Sequence, residues 1–109
     1  MRNGYFVCTV VFAVALFCGV APVEAAGEAS PGEQAFLQNC AVCHPKGGNI
    51  INPAKTLDKK ALAANGIKEP ADVVRNMRNP GPAMTRFDEK AIPDATARAI
   101  AEYILKTFK

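Results

Sequence analysis

The chain has no tryptophan, one histidine and only 7% aromatic residues. Without Trp and with few large rings, so short a chain has little apolar volume from which to build its own core. A single imidazole excludes any site that needs two, including bis-histidine ligation of a metal. No segment alternates apolar and polar residues over the length of a strand, so no sheet is expected and the fold class is all-α. Repeats and low-complexity tracts are also missing. Charge is nearly balanced: 13 Lys and Arg against 10 Asp and Glu give a net +3, too weak to imply nucleic acid.

Cysteine is sparse as well, and its placement depends on the N-terminus. Met1-Arg2-Asn3 is a short basic start, and residues 5–20 form an uncharged apolar run. Pro22 breaks the run, and Val23-Glu24-Ala25 offers short residues at the cleavage-determining positions. Residues 1–25 therefore read as a secretory signal peptide, cleaved after Ala25, and the mature protein as periplasmic. The run is slightly short for the roughly 20 apolar residues of a membrane span, so membrane association is expected only if the signal is retained. Phe17 before Cys18 is too bulky for a lipoprotein signal. Cleavage leaves one domain, residues 26–109, of 109 − 25 = 84 residues. It removes Cys8 and Cys18, leaving Cys40 and Cys43, and it removes Arg2 and Glu24, so the net charge stays +3.

The two remaining cysteines lie in Cys40-Ala41-Val42-Cys43-His44. This C-x-x-C-H spacing is the attachment pattern of c-type haem. A helical turn brings residues three apart to one side, so both thiols can reach the two vinyl groups of one porphyrin. His44 then lies under the iron as the proximal ligand. One covalent haem c is the expected cofactor, and it would supply much of the missing core. Thioether attachment occurs outside the cytoplasm, which agrees with the leader.

Short helices are legible around the motif. Ser30-Pro31-Gly32-Glu33 is a helix opening with a cap, a first-turn proline and a capping box, and the helix runs to about Asn39. After the turn-forming Pro45-Lys46-Gly47-Gly48-Asn49, Ile50 and Ile51 are apolar residues in a polar loop, as expected of a cover over a haem edge. A second helix is expected from a Thr56 cap to Asn65-Gly66, and a third from Pro70 to about Arg78 with Val73, Val74 and Met77 on one stripe. Asn79-Pro80-Gly81-Pro82 forbids helix, and a loop with Met84 and Phe87 follows. The last helix starts near Asp94, with Ala97, Ile100, Ala101, Ile104 and Phe108 at helical spacing.

With one histidine, the sixth iron ligand is a methionine, another residue, water or nothing. Met77 sits on a helix stripe and reads as core. Met84 sits on a proline-bound loop 84 − 44 = 40 residues after His44 and is the expected axial ligand, so His44 and Met84 are the expected iron ligands. The axial imidazole needs an acceptor for its other N–H, expected to be a backbone carbonyl near Pro53. Ile50, Ile51, Leu57, Ile67, Val74 and Phe87 are the candidates for an apolar haem pocket, Pro53, Ile51 and Phe87 foremost among the contacts.

Residues 39–57, reading NCAVCHPKGGNIINPAKTL, resemble the haem site of small class I c-type cytochromes of the cytochrome c6-like branch. Residues 83–87 resemble that branch's axial-methionine loop and residues 100–104 its last helix. The closest likeness is to small periplasmic monohaem cytochromes of metal-reducing bacteria. The resemblance implies a compact cytochrome c fold of four to five short helices around one covalent haem. It also implies His/Met ligation, single-electron shuttling, and a crossing of the first and last helices near Phe36 and Tyr103. Two departures stand out: Thr85 follows Met84 where the branch usually has proline, and residues 66–82 match poorly.

The function expected is that of an electron carrier, not an enzyme, acting as a monomer. Lys46, Lys55, Lys59, Lys60 and Lys68 cluster, opposed between positions 46 and 68 only by Asp58. They read as a solvated face or as a docking patch for a redox partner with an acidic surface. The rival is a haem enzyme or sensor, small and peroxidase-like or ligand-responsive, with a labile sixth position. A thiol oxidoreductase lacks its βαβ pattern, and a zinc site has too few ligands.

Overall fold

The computed structural model describes Gly19 and residues 27–109; the expected cleavage point and, Gly19 apart, the expected signal-peptide segment lie outside the described residues. Among those residues the chain forms four α-helices, one 3-10 turn and no strand. The helices are α1 (Pro31–Asn39), α2 (Lys59–Ala64), α3 (Pro70–Arg78) and α4 (Asp94–Thr107), with the 3-10 turn at Pro45–Gly47. No helix among the described residues is long and apolar enough to cross a membrane.

Helix α1 opens as its sequence dictates. Ser30 is extended and its Oγ accepts from the Glu33 N–H at 3.2 Å, with Pro31 in the first turn. Only this half of the expected capping box forms. Helix α1 packs against α4, where Phe36 meets Tyr103 at 5.3 Å and Phe108 at 5.4 Å between ring centroids. Phe36, Tyr103 and Phe108 thus gather at one crossing, and the expected Phe36–Tyr103 contact is present. Gly32 allows the helices to meet: a Cβ there would lie 2.2 Å from the Ala99 carbonyl oxygen.

Helix α3 packs against the same α4. Val73 and Met77 point inward with Ile92, Ala97, Ile100, Ala101 and Ile104, and Ile100 is fully buried. Alanines at 97 and 101 leave room for the neighbouring helices to approach closely, which is why so small a core can be continuous. Helix α2 starts later than the sequence suggested. Its cap is Asp58, whose Oδ1 accepts from the Ala61 N–H at 2.9 Å, and Thr56 donates its hydroxyl to that same carboxylate instead of capping. Asp is at least as good a cap as Thr, and the run Thr56-Leu57-Asp58 offers both.

Helix α3 is capped by its own first turn. The Asp72 carboxylate accepts from the Lys68 and Glu69 N–H groups, each at 3.0 Å, and pairs with Arg75 at 2.5 Å. The Lys68 N–H, then Arg75, then the Glu69 N–H hold its pKa below the usual 3.8. A depressed pKa means that the stabilisation is complete above the ordinary carboxylate range and is lost as pH falls through the lower, folded value. Asp72→Asn should therefore lower the melting temperature near pH 7. The gap to wild type should close in acid, read by parallel melts from pH 7 to pH 2; a gap independent of pH would remove the electrostatic account.

Candidate haem site

The motif continues the turn that ends α1. Cys40 and Ala41 both donate their N–H to the Phe36 carbonyl, at 2.8 and 3.0 Å. Cys43 and His44 both donate to the Cys40 carbonyl, at 3.1 and 2.9 Å. Residues 40–44 thus make one tight turn hung from a fully buried aromatic, and the two thiols are fixed relative to the core. Both are free, with no disulfide between them. Burial pushes the Cys40 thiol up to about 11.

His44 is oriented by the backbone that follows it. Its Nδ1 lies 2.8 Å from the Gly48 carbonyl oxygen. A carbonyl only accepts, so Nδ1 carries the proton and Nε2 keeps the lone pair needed by a metal. The acceptor is therefore Gly48 and not Pro53. The physical reason is the 3-10 turn at Pro45–Gly47, which reverses the chain at once and delivers the Gly48 carbonyl four residues after the ring. The turn uses a left-handed Lys46 (φ 52°) and Gly47 (φ 78°), where a Cβ on Gly47 would strike the Phe108 ring at 2.4 Å.

The next loop is organised by a residue that the sequence did not single out. Asn49 accepts through Oδ1 from Ile51 and Asn52 and donates through Nδ2 to the Lys55 carbonyl. Its place after Gly47-Gly48 is a common setting for an Asx turn. Ile50 donates its N–H to the Cys43 carbonyl at 3.1 Å, which ties the loop to the motif. Of the expected pocket residues, Leu57, Ile67, Val74 and Phe87 are half-buried along the rim of the core, which Cys40 and Met84 also border. Ile51 and Pro53 are not among them: both are exposed, and Ile50 and Ile51 stand out at 63% and 56% exposure.

Met77 and Met84 separate as their settings predict. Met77 is buried at 3% exposure. Met84 is half-buried on a loop clamped at both sides. Its N–H donates to the Gly81 carbonyl at 3.2 Å; beyond it, the Phe87 N–H donates to the Met77 carbonyl at 3.0 Å. Arg78 closes the clamp, donating to the Phe87 carbonyl at 3.0 Å and to Asp94 at 2.7 Å. This strap fixes the loop although Thr85 stands where proline was expected. The Asn76 amide lies 3.9 Å from the Met84 sulfur. Neither Asn76 nor Arg78 was legible beforehand, because each acts through a loop whose path the sequence does not specify.

The residues present fit a haem. Two free thiols share one turn, an imidazole has its outer nitrogen tied back, a thioether sits on a fixed loop, and an apolar rim borders thiol and thioether alike. Among the described residues no group of three or more His, Cys, Asp and Glu converges to hold a bare metal ion.

Residues 27–104 match the family described as cytochrome c oxidase, cbb3-type, subunit III. A cytochrome c6 from Rippkaea orientalis is 37% identical over 100 residues, covering 92% of this chain and 86% of that one. The chain is a member of the class I c-type cytochromes, in the cytochrome c6-like group. A second cytochrome c6, from Cyanidium caldarium, is 43% identical over 77 residues, 68% of this cytochrome and 66% of that protein. Among solved structures, outer membrane cytochrome F (OmcF) of Geobacter sulfurreducens aligns with a TM-score of 0.70 at 46% identity, covering 72% of this chain and 99% of that one. This cytochrome carries covalently bound haem c, and the all-α cytochrome c fold and electron-carrier class follow with the family.

Proposed function

We propose that this cytochrome is a periplasmic one-electron carrier whose haem is attached through Cys40 and Cys43 and ligated by His44 and Met84. The observation that carries the reading is the way the Met84 thioether is held: on a clamped loop, bordering the same core as Cys40. When bound, the haem iron supplies the chemistry by cycling between Fe(III) and Fe(II). The polypeptide does the rest. Gly48 holds the His44 tautomer and ring angle, Arg78 and Asp94 hold the methionine loop, and His44 and Met84 would hold the iron between them. A fixed ligand set needs little rearrangement when the charge changes, and it leaves no position for a small molecule. A thioether opposite imidazole favours Fe(II) and raises the potential relative to two imidazoles.

Lys46, Lys55, Lys59, Lys60 and Lys68 are all exposed. Asp58, the one acid among them, has its carboxylate engaged in capping α2. This supports a docking face for an acidic redox partner, with weak and fast binding suited to a shuttle. Export by residues 1–25 places the exchange in the periplasm, and the protein acts as a monomer.

A redox titration with carbon monoxide tests the assignment. The account predicts a single one-electron wave and a reduced spectrum unchanged by carbon monoxide. Rapid formation of a carbon monoxide adduct would instead mark a labile sixth position and an enzyme or sensor.

A further inference from the structure

We propose that Phe108 is a positioning residue for His44, acting through the Gly47–Gly48 turn that accepts the imidazole proton. The inference rests on the reading of His44 as axial ligand and deepens it. The Gly48 carbonyl oxygen lies 2.8 Å from His44 Nδ1, so whatever fixes Gly48 sets the strength of that bond. Two backbone bonds close the turn on itself: Gly47 N–H to the His44 carbonyl at 3.1 Å, and Gly48 N–H to the Pro45 carbonyl at 2.9 Å. Neither ties it to the core. The Phe108 ring does. The three atoms nearest a Cβ built on Gly47 are Cδ1, Cγ and Cε1 of that ring, at 2.4, 2.6 and 2.9 Å. Gly47 is buried and left-handed (φ 78°), so the ring fills the space a side chain there would take.

Phe108 is itself held. Its N–H donates to the Ile104 carbonyl and its carbonyl accepts from the Lys59 N–H, each at 3.1 Å. Its ring packs on Phe36 at 5.4 Å and Tyr103 at 5.8 Å. Since the Phe36 carbonyl carries the Cys40 turn, one aromatic cluster backs both the thiols and the acceptor of the imidazole. Such support is what a ligand needs to keep its geometry. A carbonyl that accepts from Nδ1–H makes the imidazole a stronger donor at Nε2, which favours Fe(III). Without the Phe108 ring the turn can drift from the imidazole, the bond weakens and the balance moves towards Fe(II). Loss of the methionine, or entry of water, moves it the other way. The sign therefore separates positioning from general loosening.

The test compares wild-type holoprotein with Phe108→Ala, Phe108→Leu and Tyr103→Leu. It reads the potential, the weak far-red band of methionine–iron(III) ligation, and the exchange rate of the His44 Nδ1 proton. The chain has one histidine, so isotope-labelled histidine reports on His44 alone. Phe108→Ala should keep the band and shift the Fe(III)/Fe(II) equilibrium roughly threefold towards Fe(II), which is about 28 mV higher at ~59 mV per decade. The Nδ1 proton should exchange roughly tenfold faster. Phe108→Leu should show a smaller shift of the same sign, and it serves if Ala does not fold. Tyr103→Leu takes a ring from the same cluster and should lower the melting temperature while leaving potential and exchange in place. An unchanged or lowered potential in the Phe108 variants, or an equal rise in Tyr103→Leu, overturns the role of Phe108 and leaves His44 standing. A wild-type reduced protein whose histidine ring protons lack the upfield shift of an iron-bound imidazole overturns the ligand assignment itself.

Discussion

Met84→Ala is expected to abolish the far-red band of the oxidised protein and to shift the iron equilibrium roughly tenfold or more towards Fe(III), a drop of ~59 mV or more. Ala cannot reach the iron, so water or an exogenous ligand enters and the low-spin spectrum becomes at least partly high-spin. The loop should survive the change. Its anchors are backbone bonds at Gly81 and Met77 and the Arg78 strap, none of which uses the Met84 side chain. The melting temperature should therefore fall less than the spectrum changes. The contrasting variant is Met77→Leu. Met77 is buried against α4, and a volume-conserving swap there costs under about 1.5 kcal/mol. It should leave band and potential in place. Absorption spectra and potentiometry of the two variants side by side decide between the methionines.

Gly32→Ala is expected to be the most damaging single-methyl change in the protein. The new Cβ would lie 2.2 Å from the Ala99 oxygen and 2.7 Å from its carbonyl carbon. Both are backbone atoms of α4 and cannot swing aside, so the helices must part. Parting them also loosens the Phe36–Tyr103–Phe108 cluster. Overpacking of this kind costs about 3 kcal/mol, or roughly 12–24 °C in melting temperature for a domain of this size. Gly66→Ala is the control: Gly66 has φ +75° but nothing within 4 Å of a built Cβ. Its cost is the left-handed backbone alone, about 1–2 kcal/mol. Thermal melts of the two variants should rank them Gly32 well below Gly66. The reverse order would mean that the α1–α4 contact is not the tight point of the fold.

What the sequence made legible follows from how local each signal is. Helices α1, α3 and α4 are bounded by Pro31, Pro70 and Asp94, where the proline and cap signals placed them, because capping is chemistry between near neighbours. The motif at Cys40, Cys43 and His44 needed only one turn of chain. The start of α2 slipped from Thr56 to Asp58 because two adequate caps lie two residues apart. The partner of His44 was misplaced for a related reason. The expectation has the loop fold back to His44 near Pro53, whereas the left-handed Lys46–Gly47 pair turns the chain back already at Gly48. Arg78 and Asn76 could not be read in advance: their partners, Phe87, Asp94 and Met84, lie eight to sixteen residues away across a proline-rich loop.

The identity of the second axial ligand is the centre of the account, and methyl-labelled methionine tests it most directly. In the reduced, diamagnetic holoprotein, a methionine bound to haem iron has its methyl group in the porphyrin ring current and far upfield of any other. The account predicts one such methyl signal, assigned to Met84, with Met77 at an ordinary core shift. A ring-current-shifted methyl that belongs to Met77, or none at all, would contradict it.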